Sequence, residues 1–369
     1  MHVTQLAING KDFWINGQPT YRGRTWNGCR IEGLLLNSRM VQATFDDLNP
    51  DTRGNWAYPD TGVWDPDRNT DELIAMLPEY RRHGLLAISL NLQGGSPRSY
   101  SRIQPWINTA FTADGDLRPA YLARLKRILD RLAELGMVAI VGLFYFGQDE
   151  RLYDDAAVQR GVDNAVRWLL EGGWENVIVE INNECDVPLY DHPILQPPRV
   201  HELIEAAKEI THGGRRLLVG TSYALIEQSR ARSPWVQRAL AGVTDEEIDR
   251  LRATTLSVSD VALIHGNGIH LSAEVGPVVE RIRMLCANRP IPIVFNEDDH
   301  YAFDQPTNNF VEAVRHRASW GYFDAGPGAG GVGARSDYVE GFQNVPVNWG
   351  INTDRKRGFF NLLKNITGG

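Results

Sequence analysis

Val177-Ile-Val-Glu-Ile-Asn-Asn-Glu184 and Ile291-Pro-Ile-Val-Phe-Asn-Glu297 share one pattern, a short apolar run that closes on Asn-Glu. Runs this apolar and this short fit strands buried on both faces, as a parallel sheet requires. Similar runs occur at LLAISLNL (85–92), MVAIVGLFYF (137–146), RLLVGTSY (216–223), VALIHGN (261–267) and GYFDAG (321–326), and Met40–Phe45 is a further strand candidate. Helical patterns separate most of them. The clearest is Pro119–Leu135, where Leu122, Leu125, Ile128, Leu129 and Leu132 recur at helical spacing behind a first-turn proline and ahead of Gly136. Others cover Asp71–His83, Ala156–Leu170, Arg199–Ile210, Ala273–Leu285, Phe310–Ser319 and Arg355–Asn365, and Ser229–Ser259 reads as a helical excursion.

Eight strands alternating with helices predict an α/β chain, a (β/α)8 TIM barrel with elaborated loops. The opening FWINGQPTY (13–21) predicts an N-terminal β-hairpin about Asn16-Gly17. No low-complexity linker interrupts the pattern, so residues 1–369 read as one barrel domain. The rival is an open doubly wound sheet. Its support is Gly326-Pro-Gly328-Ala-Gly330-Gly331-Val-Gly333, which satisfies a dinucleotide fingerprint by spacing but opens no helical pattern. A loop over the barrel mouth explains it better.

With 43% hydrophobic and 23% charged residues the composition is that of a globular protein. A net charge of −8 and the absence of a basic run argue against a nucleic-acid partner. Cys29, Cys185 and Cys286 form neither a disulfide framework nor a zinc pattern, and no basic start and apolar core mark a signal peptide. The expectation is a cytoplasmic protein without membrane partner.

Active sites of such barrels lie at the C-terminal ends of the strands. Glu184 and Glu297 end the fourth and seventh strands by this count. Paired carboxyls are what cleavage of a glycosidic bond needs. One protonates the departing oxygen and the other attacks or stabilises the anomeric carbon. Asn183 is placed to hydrogen-bond a sugar hydroxyl. The other candidate substrate contacts are Asn91, Tyr145, His265, Asn267, Phe323 and Trp349, with Trp26 and Trp106 as further possible stacking surfaces.

Asn183-Glu184, Glu297, the strand order and the opening hairpin together resemble the clan A glycoside hydrolases, near the cellulase- and mannanase-like members. The resemblance implies a retaining hydrolase acting on β-linked oligosaccharides or glycosides without cofactor, Glu184 as acid/base and Glu297 as nucleophile. The sequence departs from the clan in several places. Strand two ends in Leu90-Asn91-Leu92-Gln93 where an arginine is common, and Tyr145-Phe146-Gly147-Gln148 follows strand three where a histidine is common. His265-Gly266-Asn267 replaces His-x-Tyr, and Phe323-Asp324 stands where a tryptophan is usual. Two other readings stay open: a carbohydrate-binding barrel without catalysis, and a metal-dependent barrel hydrolase. No metal pattern is complete. His265 and His270 lack a third ligand, Asp298-Asp299-His300 reads as loop charge, and Asp65-Pro-Asp67-Arg-Asn69 lacks the later residues of a calcium loop.

Overall fold

Parallel strands buried along their whole length need helices on the outside and a filled interior, and the chain supplies both. The computed structural model describes residues 4–95, 97, 102–325 and 341–369. Among these, eight parallel barrel strands follow one another: β1 (Asn37–Arg39), β2 (Ala87–Asn91), β3 (Val138–Phe144), β4 (Val177–Asn182), β5 in two pieces (Leu218–Gly220 and Ser222–Tyr223), β6 (Ala262–His265), β7 (Ile293–Glu297) and β8 (Gly321–Tyr322). Strands β1 to β5 pair in order, and β8 pairs with β1. The second piece of β5 pairs with β6, and β6 with β7. Single bridges, Val294 to Ser319 and Asp298 to Tyr322, join β7 to β8 and close the ring. The break in β5 falls at Thr221, whose hydroxyl donates to the backbone and side-chain oxygens of Asn182.

The outer helices are α1 (Pro66–Arg82), α2 (Pro119–Glu134), α3 (Asp155–Glu171), α4 (Val200–Glu209), α5 (Asp245–Val258), α6 (Val275–Leu285), α7 (Asn309–Arg315) and α8 (Asp354–Thr367). Helix α2 buries Tyr121, Leu125, Ile128, Leu129 and Leu132 on one stripe. Each such side chain contributes about 1.5–3 kcal/mol of burial. Asp65 and Asp67, which open like a calcium loop in sequence, start α1: the Asp65 carboxylate accepts from the amides of Asp67 and Arg68. The Ser229–Ser259 excursion holds a short helix, Pro234–Ala239, and then α5 itself.

The predicted hairpin forms, Asp12–Ile15 pairing with Gln18–Pro19 around Asn16 and Gly17, both at positive φ. Leu6–Asn9 adds a third strand. Its Leu6 and Phe13 pack with Leu35, Leu86, Val138, Ile140, Ile178, Leu263 and Val294, so the hairpin plugs the lower end of the barrel. A second Asn-Gly turn, Asn27-Gly28, joins Thr25–Trp26 to Cys29–Arg30 and went unread in the sequence.

One strand expectation is corrected. Met40–Phe45 is not β1; Val41–Thr44 is a buried 3₁₀ turn, and the strand lies just before it at Asn37–Arg39. An all-polar triplet reads as loop, but β1 points polar side chains into the upper barrel. The Gly326–Gly333 run lies outside the described residues. No helix among the described residues is long and apolar enough to cross a membrane.

Candidate active site

The lower barrel is apolar and the upper barrel polar. Toward the C-terminal ends of the strands the buried side chains include Asn37 and Arg39 of β1, Ser89 and Asn91 of β2, Glu180 and Asn182 of β4, Ser222 of β5, His265 of β6 and Asn296 of β7. Glu184 and Glu297 lie above this layer, 3% and 6% exposed.

Glu297 ends β7 in register with His265 of β6, where the pairing shifts by one residue. That shift puts His265 Nδ1 3.4 Å from Glu297 Oε2. The same nitrogen is 2.9 Å from Glu184 Oε1. A carboxylate oxygen of each glutamate and the His265 nitrogen all lie within 4.8 Å of one another. Burial works against the imidazolium, but Glu297 and then Glu184 outweigh it and raise the His265 pKa above its ordinary value.

Two more donors converge on Glu297. Arg39 Nε is 2.6 Å from Oε2, and Asn267 Nδ2 donates to Oε1 at 2.7 Å. Arg39 also donates through Nη2 to Asn183 Oδ1 at 2.8 Å, tying the two Asn-Glu motifs together. Glu184 sits two residues beyond β4 at φ 51°, a left-handed conformation rare for a side-chain-bearing residue. Its amide donates to Ser222 Oγ at 2.9 Å, and the Cys185 amide to the Ser222 carbonyl. Burial pushes the Cys185 thiol well up, which suits a packing residue.

The structure thus brings together Asn183, Glu184, His265, Asn267 and Glu297. Phe323 is half-buried beside them, its ring centroid 5.9 Å from the Arg39 guanidinium carbon. Tyr145 is buried just beyond β3, its ring tilted against that of Phe146. Asn91 lies lower, within the barrel, where neither amide atom has a hydrogen-bond partner. Trp349 stands apart: it is buried against Phe342 and donates to the Asn69 carbonyl. The indole N–H groups of Trp26 and Trp106 are likewise taken, by Asn365 and Gln104.

Arg39 was missed in sequence. No local signal marks it, since Asn37, Ser38 and Arg39 carry no apolar residue that would announce a strand. Asp298, next to Glu297, is a brace: it accepts from Trp320, Asn309 and the His300 ring.

Glu184, His265 and Glu297 form a three-donor set of the kind that can hold a cation. Here Arg39 and Asn267 already occupy both oxygens of Glu297, and a metal would have to enter against a buried guanidinium. The residues fit a charge-balanced carboxylate pair better than a metal centre.

The sequence matches no family model and no curated protein. Among solved structures the fold is similar to the endo-1,4-beta-mannanase from Rhizomucor miehei, with TM-score 0.53 and 12% identity over 86% of this chain and 89% of that one. It is also similar to a glycoside hydrolase family 5 mannosidase from the same organism, with TM-score 0.53 and 11% identity over 99% and 97%. A variant of that mannosidase in complex with mannosyl-fructose gives TM-score 0.52 at 12% identity over 99% and 97%. The likeness is one of fold. All three comparisons extend along most of this chain and agree with the (β/α)8 architecture.

Proposed function

We propose that this barrel is a retaining glycoside hydrolase that cleaves β-linked oligosaccharides or glycosides, with Glu297 as nucleophile and Glu184 as acid/base. The observation that carries the reading is the approach of the two carboxylates, an oxygen of each within 4.8 Å of the other around one imidazole nitrogen. A pair separated by about 5–5.5 Å attacks directly, whereas inversion needs about 6.5–9.5 Å to admit a water. The solved barrels of similar fold, a mannanase and a mannosidase, add weight to a sugar substrate.

The environments suit two different roles. Glu297 is gripped at both oxygens by Arg39 and Asn267, which fix its carboxylate for attack, whereas Glu184 faces the His265 nitrogen at 2.9 Å. In the first step Glu297 forms a bond to the anomeric carbon while Glu184 passes its proton to the departing oxygen. In the second, Glu184 takes a proton from water, the water oxygen bonds to that carbon, and Glu297 leaves. Asn267 occupies the nucleophile contact that a tyrosine makes in the clan resembled.

Glu297→Ala should lose at least about 10³-fold in kcat/KM on aryl β-glycosides. Azide should restore turnover of that variant and yield a glycosyl azide of inverted configuration. Undiminished activity in Glu297→Ala would remove the assignment. The three-donor cluster keeps a metal-dependent hydrolase as the second reading, and loss of activity with chelator would favour it. Sugar binding with no turnover on any glycoside would favour a binding barrel.

A further inference from the structure

The segment that carries Glu184 is held by another carboxylate. Asp186 stands two residues on, partly buried, in the loop that leaves β4. Its Oδ1 accepts from the Ala224 amide at 2.7 Å and its Oδ2 from the Leu225 amide at 3.0 Å. Both amides belong to the loop that leaves β5. The Cys185 amide donates to the Ser222 carbonyl at 2.9 Å, and the Glu184 amide to Ser222 Oγ at 2.9 Å. These four hydrogen bonds tie residues 184–186 to residues 222–225.

Each of the two segments contains a residue in an uncommon conformation. Glu184 has φ 51°, and Leu225 has φ 56° and ψ 45°, the left-handed region that a side chain disfavours. Such a residue costs on the order of 1–3 kcal/mol and persists only where its surroundings hold it. A carboxylate that receives two backbone amides makes charge-assisted bonds, roughly twice as strong as neutral ones, so Asp186 is the strongest hold between the segments. The contact is backed from the outer layer. Arg252 of α5 is buried and pairs with both oxygens of Glu227, at 2.9 and 3.2 Å, while its Nη2 stands 3.8 Å from Asp186 Oδ2. Glu227 follows Leu225 by two residues, so one arginine reaches both sides of the junction.

We propose that Asp186 is a positioning residue: its carboxylate clasps the β4 and β5 loops together and so keeps the Glu184 carboxyl where it meets the departing oxygen. This rests on the glycosidase reading. The Glu184 carboxyl has a defined place to keep, since Oε1 is 2.9 Å from His265 Nδ1. Relaxation of Glu184 from the left-handed region to ordinary backbone redirects its side chain, so release of the clasp misplaces the proton. Glu297 stays in place, because Arg39 and Asn267 hold it from other strands.

Asp186→Asn tests the clasp, because an amide offers one acceptor oxygen and turns its own N–H donors toward the second backbone amide. With phenyl β-glycosides, whose leaving group needs a proton, kcat/KM should fall about tenfold or more. With dinitrophenyl β-glycosides, which leave without one, it should fall less than about twofold. The second step still needs the base, so azide should raise kcat of the variant on the dinitrophenyl substrate and yield a glycosyl azide of retained configuration. Equal losses on both substrates, or no loss on either, would overturn the proposal. Asp186→Ala should show the same split, and it serves should Asp186→Asn fail to fold.

Hydrogen exchange gives a readout that needs no substrate. The amides of Glu184 and Cys185 should exchange about tenfold or more faster in either variant, while those of the N-terminal hairpin keep their rates. Unchanged exchange at Glu184 and Cys185, or equal acceleration in the hairpin, would refute the clasp. Local acceleration in an enzyme that cleaves no glycoside would leave the clasp standing and sink the glycosidase reading alone.

Discussion

Arg39 binds Glu297 and Asn183 from one planar group, using Nε for the first and Nη2 for the second. A lysine has one compact ammonium and no second arm at that spacing. Arg39→Lys should therefore keep the fold but lose about 10²-fold in kcat/KM, read on the best aryl glycoside. Asp149 supplies a residue-scale prediction about pH. It follows β3 in a 3₁₀ turn, with Oδ2 accepting from the amides of Asp191 and His192. Burial, then Glu150, pushes its pKa up to about 7. The unfolded chain titrates at about 3.9, so the folded state binds the extra proton and stability falls as pH rises between the two values. The penalty is absent at low pH and complete above about 7. Asp149→Asn, which keeps the acceptor oxygen, should raise stability by on the order of 2 kcal/mol at about pH 8 and by almost nothing at about pH 4. Thermal melts at the two pH values check this, and equal midpoint shifts would contradict it.

Elements whose signals are local were legible. Helix α2 was readable from its apolar stripe and its opening proline, and the structure places it at Pro119–Glu134. The expected start of α1 at Asp71 falls five residues late of Pro66, because Pro66 to Thr70 carries no apolar residue to extend the helical pattern, although an aspartate before a proline is a cap followed by its first-turn residue. Asp65→Ala should cost about 1 kcal/mol, measured by denaturant unfolding. The β1 strand was unreadable for the opposite reason. Asn37, Ser38 and Arg39 carry no apolar residue, and their burial comes from neighbours distant in sequence: Asn37 donates to the Phe295 carbonyl, and the Ser38 hydroxyl to that of Tyr322. Glu180 and Asn91 left a fainter trace. They are polar residues at alternate positions near the ends of otherwise apolar strands, which is how a barrel strand marks its inward face.

At the scale of the molecule, the barrel divides into a dry lower half sealed by the hairpin and a polar upper half that carries the site. Phe13 is the plug, fully buried among the lower inward-facing residues. Phe13→Ala should destabilise the protein by about 3–5 kcal/mol, with catalytic constants of the folded fraction unchanged, because the cavity opens at the far end from Glu184 and Glu297. A fall in kcat without loss of stability would contradict this division.

What the sequence determined by itself was the repeating strand and helix pattern, the Asn-Gly hairpin and the two Asn-Glu strand ends, since apolar periodicity and turn chemistry are local properties of the chain. The convergence of Arg39, His265 and Asn267 on those ends was decided only by ring closure. It depends on the stagger of parallel strands and on a one-residue shift between β6 and β7. No single segment encodes that stagger; it is set by the packing of all eight strands at once.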